Sequence, residues 1–241
     1  ITFLSIAMVL IVAGTILLAK LVKEEKHRTL ALKITALVML VLFIAHRIVC
    51  MCTWPETEPI LPHSFCGTVE FFLALCVLFG KKDNFWLHFL AYIGLPAGLI
   101  PVVYAVVLND GPTIFFGATF LSLINHSLLF FLSLNCFVLG YVTPNIKKYF
   151  AYPIGFGLMM LYGVVVMSVL NKSTACNINN PLLTLGGLKV NAGIIFLISF
   201  VLYSIFIVLY DLINIAQIAQ PIWNTFGVLT GKTFAKRFVE F

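Results

Sequence analysis

Charge is what this chain lacks. Of its 241 residues, 9 are acidic and 15 basic, a charged share of 10%, against about 25% in a soluble domain. Regular alternation of apolar with polar residues is missing as well. A helix without a polar face has no side to turn to water, and that excludes an ordinary soluble domain. Internal repeats, low-complexity stretches and glycine-rich phosphate loops are absent. So are CxxC pairs: Cys50, Cys52, Cys66, Cys76, Cys136 and Cys176 never approach the ligand spacing of a zinc site with the histidines. The sequence therefore predicts no metal and no cofactor.

Apolar length is what the chain has instead. Hydrophobic residues make up 61% of it and the mean hydropathy is +1.08. They run in seven blocks, at 1–22, 29–53, 63–80, 85–107, 114–141, 147–170 and 190–214. Each holds the ~20 helical residues that a ~30 Å hydrocarbon layer requires, and such long uniform blocks suit helices rather than barrel strands. The expected fold is all-α: a polytopic membrane bundle of about seven transmembrane helices over residues 1–214. A cytoplasmic interfacial tail is expected over 215–241, where Pro221, Trp223, Phe226 and Phe234 lie among Lys232, Lys236 and Arg237. The first block has no small-residue cleavage pattern after it and reads as a helix rather than a signal peptide.

The net charge of +6 reflects topology, not nucleic-acid binding. In a seven-span arrangement Lys20, Lys23, Lys26, Arg28, Lys33, Lys81, Lys82, Lys147, Lys148, Lys232, Lys236 and Arg237 share one side. Only Arg47, Lys172 and Lys189 fall on or toward the other. The positive-inside rule then puts the N-terminus outside and the C-terminus in the cytoplasm, as in a multi-pass protein of the cell membrane. The outer links are 54–62, 108–113 and 171–189. The first carries Pro55, Pro59 and Pro62 and favours an extended turn. The last has loop chemistry: Asn171, Asn177, Asn179, Asn180, Pro181 and the Gly186-Gly187 pair. Cys176 shares the outer side with Cys50 and Cys52, which leaves a disulfide to either one open.

Function has to be read from the polar residues inside the blocks, because ionisable groups are costly there. They are His46, Arg47, Glu70, His88 and His126. Cys66 falls in the opening turns of helix three, just after Pro62, where the positive end of the helix dipole favours a thiolate; its plainer reading is a small apolar filler. His126 is either a histidine satisfied between helices or a general base for a nucleophile on a neighbouring helix. It reaches the level of Cys66 if helix five begins near Phe116 or Gly117 rather than Thr113. Glu70 lies one turn from Cys66 on the same face. It serves either to orient a histidine or to pair with Arg47, and Arg47 with His46 suits a lipid phosphate. Asn125 is a candidate donor to an oxyanion, His63 sits in the loop beside the site, and His88 reads as interfacial. The run Gly94-Leu95-Pro96-Ala97-Gly98 predicts a kink and a small-residue packing surface.

One stretch carries a resemblance. It starts at Leu61-Pro62-His63-Ser64-Phe65-Cys66 and continues through an apolar helix and a Pro/Gly-rich helix to a Phe-rich block with His126. Over roughly residues 40–215 this order is similar to that of the YwaF-like family of bacterial integral membrane proteins, related to animal transmembrane protein 164. The resemblance implies a seven-helix bundle and a Cys–His pair, Cys66 and His126, serving phospholipid acyl transfer. The bacterial pattern has a histidine two positions before the cysteine; here that position is Ser64, and His63 stands one earlier. The expected function is thus an acyltransferase acting on membrane phospholipids through a thioester at Cys66, with His126 as base and Arg47, His46, Glu70, Asn125 and His63 binding substrate. Two other readings fit the composition: a lipid or small-solute binding or transport protein, for which no inverted repeat is visible, and a non-catalytic membrane scaffold or sensor.

Overall fold

The computed structural model describes residues 2–54, 61–103, 113–179, 181, 183–185 and 188–229, with side chains over 5–54, 61–103, 113–179, 181 and 189–213. Seven α-helices lie within them: α1 Thr2–Leu21, α2 Glu25–Thr53, α3 Phe65–Phe79, α4 Phe85–Val103, α5 Gly117–Val138, α6 Ala151–Leu170 and α7 Ala192–Leu229. A 3₁₀ turn, Ile146–Lys148, leads into α6. A short antiparallel hairpin, β1 Leu183–Leu185 with β2 Leu188–Val190, interrupts the last long link and pairs Leu183 with Val190. The hairpin is a feature beyond the all-α expectation. Five helices, α2, α4, α5, α6 with its 3₁₀ lead and α7 as far as Ile213, are long and apolar enough to cross a membrane; α1 and α3 are shorter apolar helices. Leu10, Leu17, Leu21, Val169 and Leu197 point outward, as lipid-facing side chains do. The chain is a multi-pass membrane protein. The tail expected over 215–241 falls mostly outside the described side chains and residues, with the α7 backbone continuing to Leu229. Most of the proline-rich link 54–62, and the Gly186-Gly187 pair, also lie outside the described residues.

α4 is the buried axis, packed by α3, α5 and α6. Glycine explains its closest approach. A Cβ at Gly94 would collide with Ser133, and one at Gly98 would stand 2.5 Å from Phe130 N and 2.8 Å from His126 O. The backbones of α4 and α5 therefore touch at the level of His126, the small-residue packing expected of this run. Nearer the other end, Tyr92 meets Tyr203 at a ring separation of 4.4 Å and Phe137 at 4.7 Å, tying α4 to α7 and α5.

The end that holds the predicted cytoplasmic links is stitched by Asp83. Its carboxylate accepts from Thr143 N at 2.9 Å, contacts His88 Nε2 at 2.8 Å and pairs with Lys148, while its own N–H donates to Tyr141 O at 3.1 Å. Partial burial works to raise the Asp83 carboxyl; the hydrogen bonds from Lys148, Thr143 and His88 outweigh it and hold it below the ordinary carboxylate range. His88 sits near the start of α4 and is fully buried against this loop. Nearby, Lys82 pairs with Glu25 at 2.6 Å.

α3 has 15 residues, a rise of about 22 Å, short of the ~30 Å hydrocarbon layer. Lys81 and Lys82 follow its C-terminus directly and hold that end at the basic surface. Its N-terminus, with Cys66, is consequently recessed at the opposite end of the bundle.

Candidate functional site

The recess begins with a helix cap. Ser64 has extended backbone (φ −75, ψ 152) and its Oγ accepts from Gly67 N at 3.1 Å, the usual stabilisation of a helix start. A Cβ on Gly67 would approach that oxygen to 2.7 Å, so glycine fits there. Thr68 N and Thr68 Oγ1 both donate to Ser64 O, at 3.0 and 2.8 Å. The first N–H groups of any helix lack intrahelical acceptors. That of Phe65 has none among the described residues, and that of Cys66 meets only its own sulfur.

Beyond the cap lies a cavity of about 310 Å³. Cys66, His126, Arg47, His46, Glu70, Asn125 and His63 all line it, so the seven side chains selected from four separate stretches of sequence meet at one hollow. α2 supplies His46 and Arg47, α3 supplies Cys66 and Glu70, and α5 supplies Asn125 and His126. Two features of α5 bring this about. The helix begins at Gly117, the later of the two expected starts, and its residues at 122, 125 and 126 are buried against α2 and α4.

Each reactive group has a defined partner. The Cys66 thiol donates to the carbonyl of Ala97 on α4 at 3.5 Å. That carbonyl is available because Pro101, four residues on, has no N–H to give it. His126 Nδ1 is 2.7 Å from the carbonyl of Ser122. A carbonyl only accepts, so Nδ1 carries the proton, and in the neutral ring Nε2 is left as a proton acceptor. Glu70 Oε1 lies 3.9 Å from the same Nδ1 edge, with no hydrogen bond of its own. Cys66 and His126 share the hollow without hydrogen bonding to each other; each is held by a backbone carbonyl.

One possibility that the sequence left open is decided here. All six cysteines are free: no disulfide joins Cys176 to Cys50 or Cys52. Cys50 Sγ lies 3.3 Å from His46 Nε2, one helical turn away, while Cys176 Sγ lies 3.6 Å from Thr68 Oγ1. Since the Thr68 proton is committed to Ser64 O, the Cys176 thiol is the donor. Burial pushes that thiol up, which keeps it protonated. Arg47 and Glu70 both line the cavity, where the Arg47 charge acts on Glu70, and Glu70 Oε1 also lies 3.9 Å from the neutral His126 ring.

The segment 171–179 is the part of the site that the sequence did not announce. Asn171 ends α6 in the left-handed conformation, and Cys176 and Asn177 also have positive φ, 50 and 57. These turns fold the segment back so that Cys176 N donates to His63 O at 2.7 Å and Thr174, Ala175 and Cys176 close one wall. Tyr162 OH donates to Pro62 O at 2.8 Å and steadies the loop before α3. The asparagines signal a turn, but nothing in their spacing gives its destination. Among the described residues no three His, Cys, Asp or Glu side chains converge as metal ligands.

No curated protein and no solved structure matches this chain. The family model that matches is that of the TMEM164 family, over residues 1–219, and the chain belongs to that family.

Proposed function

We propose that this membrane protein transfers acyl chains from phospholipids through a covalent thioester on Cys66. The observation that carries the reading is the meeting, in one recessed cavity, of a thiol at a helix N-terminus and a histidine whose Nε2 is the free acceptor. A nucleophile, a base within the same hollow and a group that sets the tautomer of the base are the parts that covalent acyl transfer needs.

The chemistry balances without any added group. Cys66 turns from the Ala97 carbonyl and gives its proton to His126 Nε2. The sulfur attacks the carbonyl carbon of a phospholipid ester, the ester C–O bond breaks, and the leaving oxygen takes the proton from His126 as a lysophospholipid departs. The hydroxyl of a second lysolipid then attacks the thioester, passing its proton to His126. The new ester forms and Cys66 regains its hydrogen. Glu70, beside Nδ1, is placed to favour the imidazolium formed midway. Arg47 and His46, with His63 at the rim, provide cationic and hydrogen-bonding groups suited to a phosphate headgroup.

The test is acyl exchange in proteoliposomes that contain a phospholipid with a tagged acyl chain and an untagged lysophospholipid. Appearance of the tag on the second lipid, lost in Cys66→Ser and in His126→Ala, is the expected result. Tagged lipid that moves between leaflets without exchange, and does so equally well in Cys66→Ser, would support lipid transport instead.

A further inference from the structure

Asparagine occurs twice on the inner face of α5, and the two residues are treated differently. Asn135 is anchored through its Nδ2, which donates to Thr15 Oγ1 at 3.0 Å and to Phe131 O at 2.8 Å and ties α1 to α5, while its Oδ1 alone is open among the described residues. Asn125 is just as deeply placed, 1% exposed, yet neither Oδ1 nor Nδ2 has a hydrogen-bond partner among the described residues. Buried side-chain amides are almost always satisfied, and one left open on the wall of a cavity is a group kept for a ligand. The same cavity wall holds the start of α3, where the N–H of Phe65 lacks an acceptor among the described residues, the N–H of Cys66 meets only its own sulfur and the helix dipole is positive. Donors of this kind recognise an oxygen that gains negative charge, not a cation or an apolar chain.

We propose that the side-chain amide of Asn125 and the N–H groups at the start of α3 form the oxyanion site for the acyl carbonyl, with Asn125 a catalytic residue of the acylation step. This rests on the acyl-transfer reading of Cys66. As the sulfur–carbon bond forms, the π electrons of the carbonyl move onto its oxygen; Asn125 and the backbone donors hold that oxygen. When the C–O bond to the lysolipid breaks, the electrons return and the carbonyl of the thioester is restored. Backbone donors cannot be removed by substitution, whereas Asn125 can, which makes it the testable member of the set.

The experiment separates carbonyl chemistry from thiol chemistry. Full-length wild-type, Asn125→Ala and Asn125→Asp proteins are compared in detergent for two rates at Cys66. One is thioester formation from a phospholipid carrying a tagged acyl chain. The other is alkylation by iodoacetamide, a displacement at a saturated carbon that builds no oxyanion. Thioester formation falls about 10²- to 10³-fold in both variants, the usual effect of removing one such donor, while alkylation is unchanged. The aspartate keeps the size and shape of the asparagine, so its loss cannot come from a cavity. Equal thioester rates in all three proteins would overturn the oxyanion role and leave the acyl-transfer reading standing. Loss of both reactions together would also overturn it, by making Asn125 a support for the thiol. No thioester in the wild type would remove the acyl-transfer reading itself.

Discussion

The Cys66 sulfur rests 3.5 Å from the carbonyl oxygen of Ala97, an oxygen left open on α4 by Pro101. A proline inside a membrane helix thus does more than bend it. It supplies the acceptor that holds the thiol proton in a cavity the histidine also lines. Replacing Pro101 with alanine gives Ala97 an intrahelical donor and takes this acceptor from Cys66. A weak thiol hydrogen bond contributes no more than about 1 kcal/mol. Cys66 alkylation by iodoacetamide should therefore rise in Pro101→Ala, by less than about tenfold. A lower rate in the variant would show that the proline acts on Cys66 by some other route.

His126 is held with Nε2 bare by its bond to the Ser122 carbonyl. His126→Gln keeps much of the size of the side chain but cannot take the thiol proton. Thioester formation at Cys66 is expected to drop by about 10²- to 10⁴-fold, the range for loss of a general base. Raising the pH should restore part of the rate, since hydroxide then generates the thiolate. A rate that does not change, followed by mass spectrometry of the thioester, would leave His126 a packing residue.

The Asp83 junction carries a pH dependence of stability. Its carboxyl is held below the ordinary range in the folded protein, so the unfolded chain binds the proton more readily. The stabilisation is present above the unfolded value of about 3.9 and is lost as pH falls through the lower folded value. With Asp83 about one-third exposed, the effect is of the order of 1 kcal/mol after solvent screening. Asp83→Asn should lower the thermal midpoint at pH 7 by a few degrees and flatten the fall in stability below about pH 4. An unchanged midpoint in a detergent melt would show that the link between the α3–α4 and α5–α6 turns is not stabilising.

Gly98 sets the spacing at the site. With Phe130 N and His126 O both under 3 Å from a Cβ at this position, even alanine pushes the α4 and α5 backbones apart. Overpacking of this kind costs about 1–3 kcal/mol. Gly98→Ala should melt several degrees lower and form thioester more slowly, because the Ala97 carbonyl and His126 shift together. A variant with wild-type melting would mean that the helices accommodate the methyl group by sliding.

Much of this was legible before any coordinates. The bilayer imposes a length on every spanning helix, so the seven blocks stand out and their helices follow; α2 begins four residues before its block and the α7 backbone runs on to Leu229. Pro62 announced the start of α3, and the small residues from Gly94 to Gly98 announced a close helix contact. The polar residues of the site could be named because charge and imidazole are rare in such a sequence. What stayed hidden depends on rotation and on distant chain returns. Arg47 and Glu70 sit at similar depth, and depth can be read from position; the azimuth that turns Glu70 toward His126 cannot. Cys176 shares a side with Cys50 and Cys52, but three left-handed residues carry its segment to Thr68 and His63 instead. The role of the Ala97 carbonyl required knowing that Cys66 would face Pro101 on another helix.

The most direct measurement is peptide mass spectrometry of the purified protein after incubation with liposomes of a phospholipid carrying an alkyne-tagged acyl chain, with acid quench. The account predicts the tagged acyl mass on Cys66, released by neutral hydroxylamine as a thioester is, and greatly reduced in His126→Gln. An unmodified Cys66, with the acyl group absent or carried instead by Cys50 or Cys176, would contradict it.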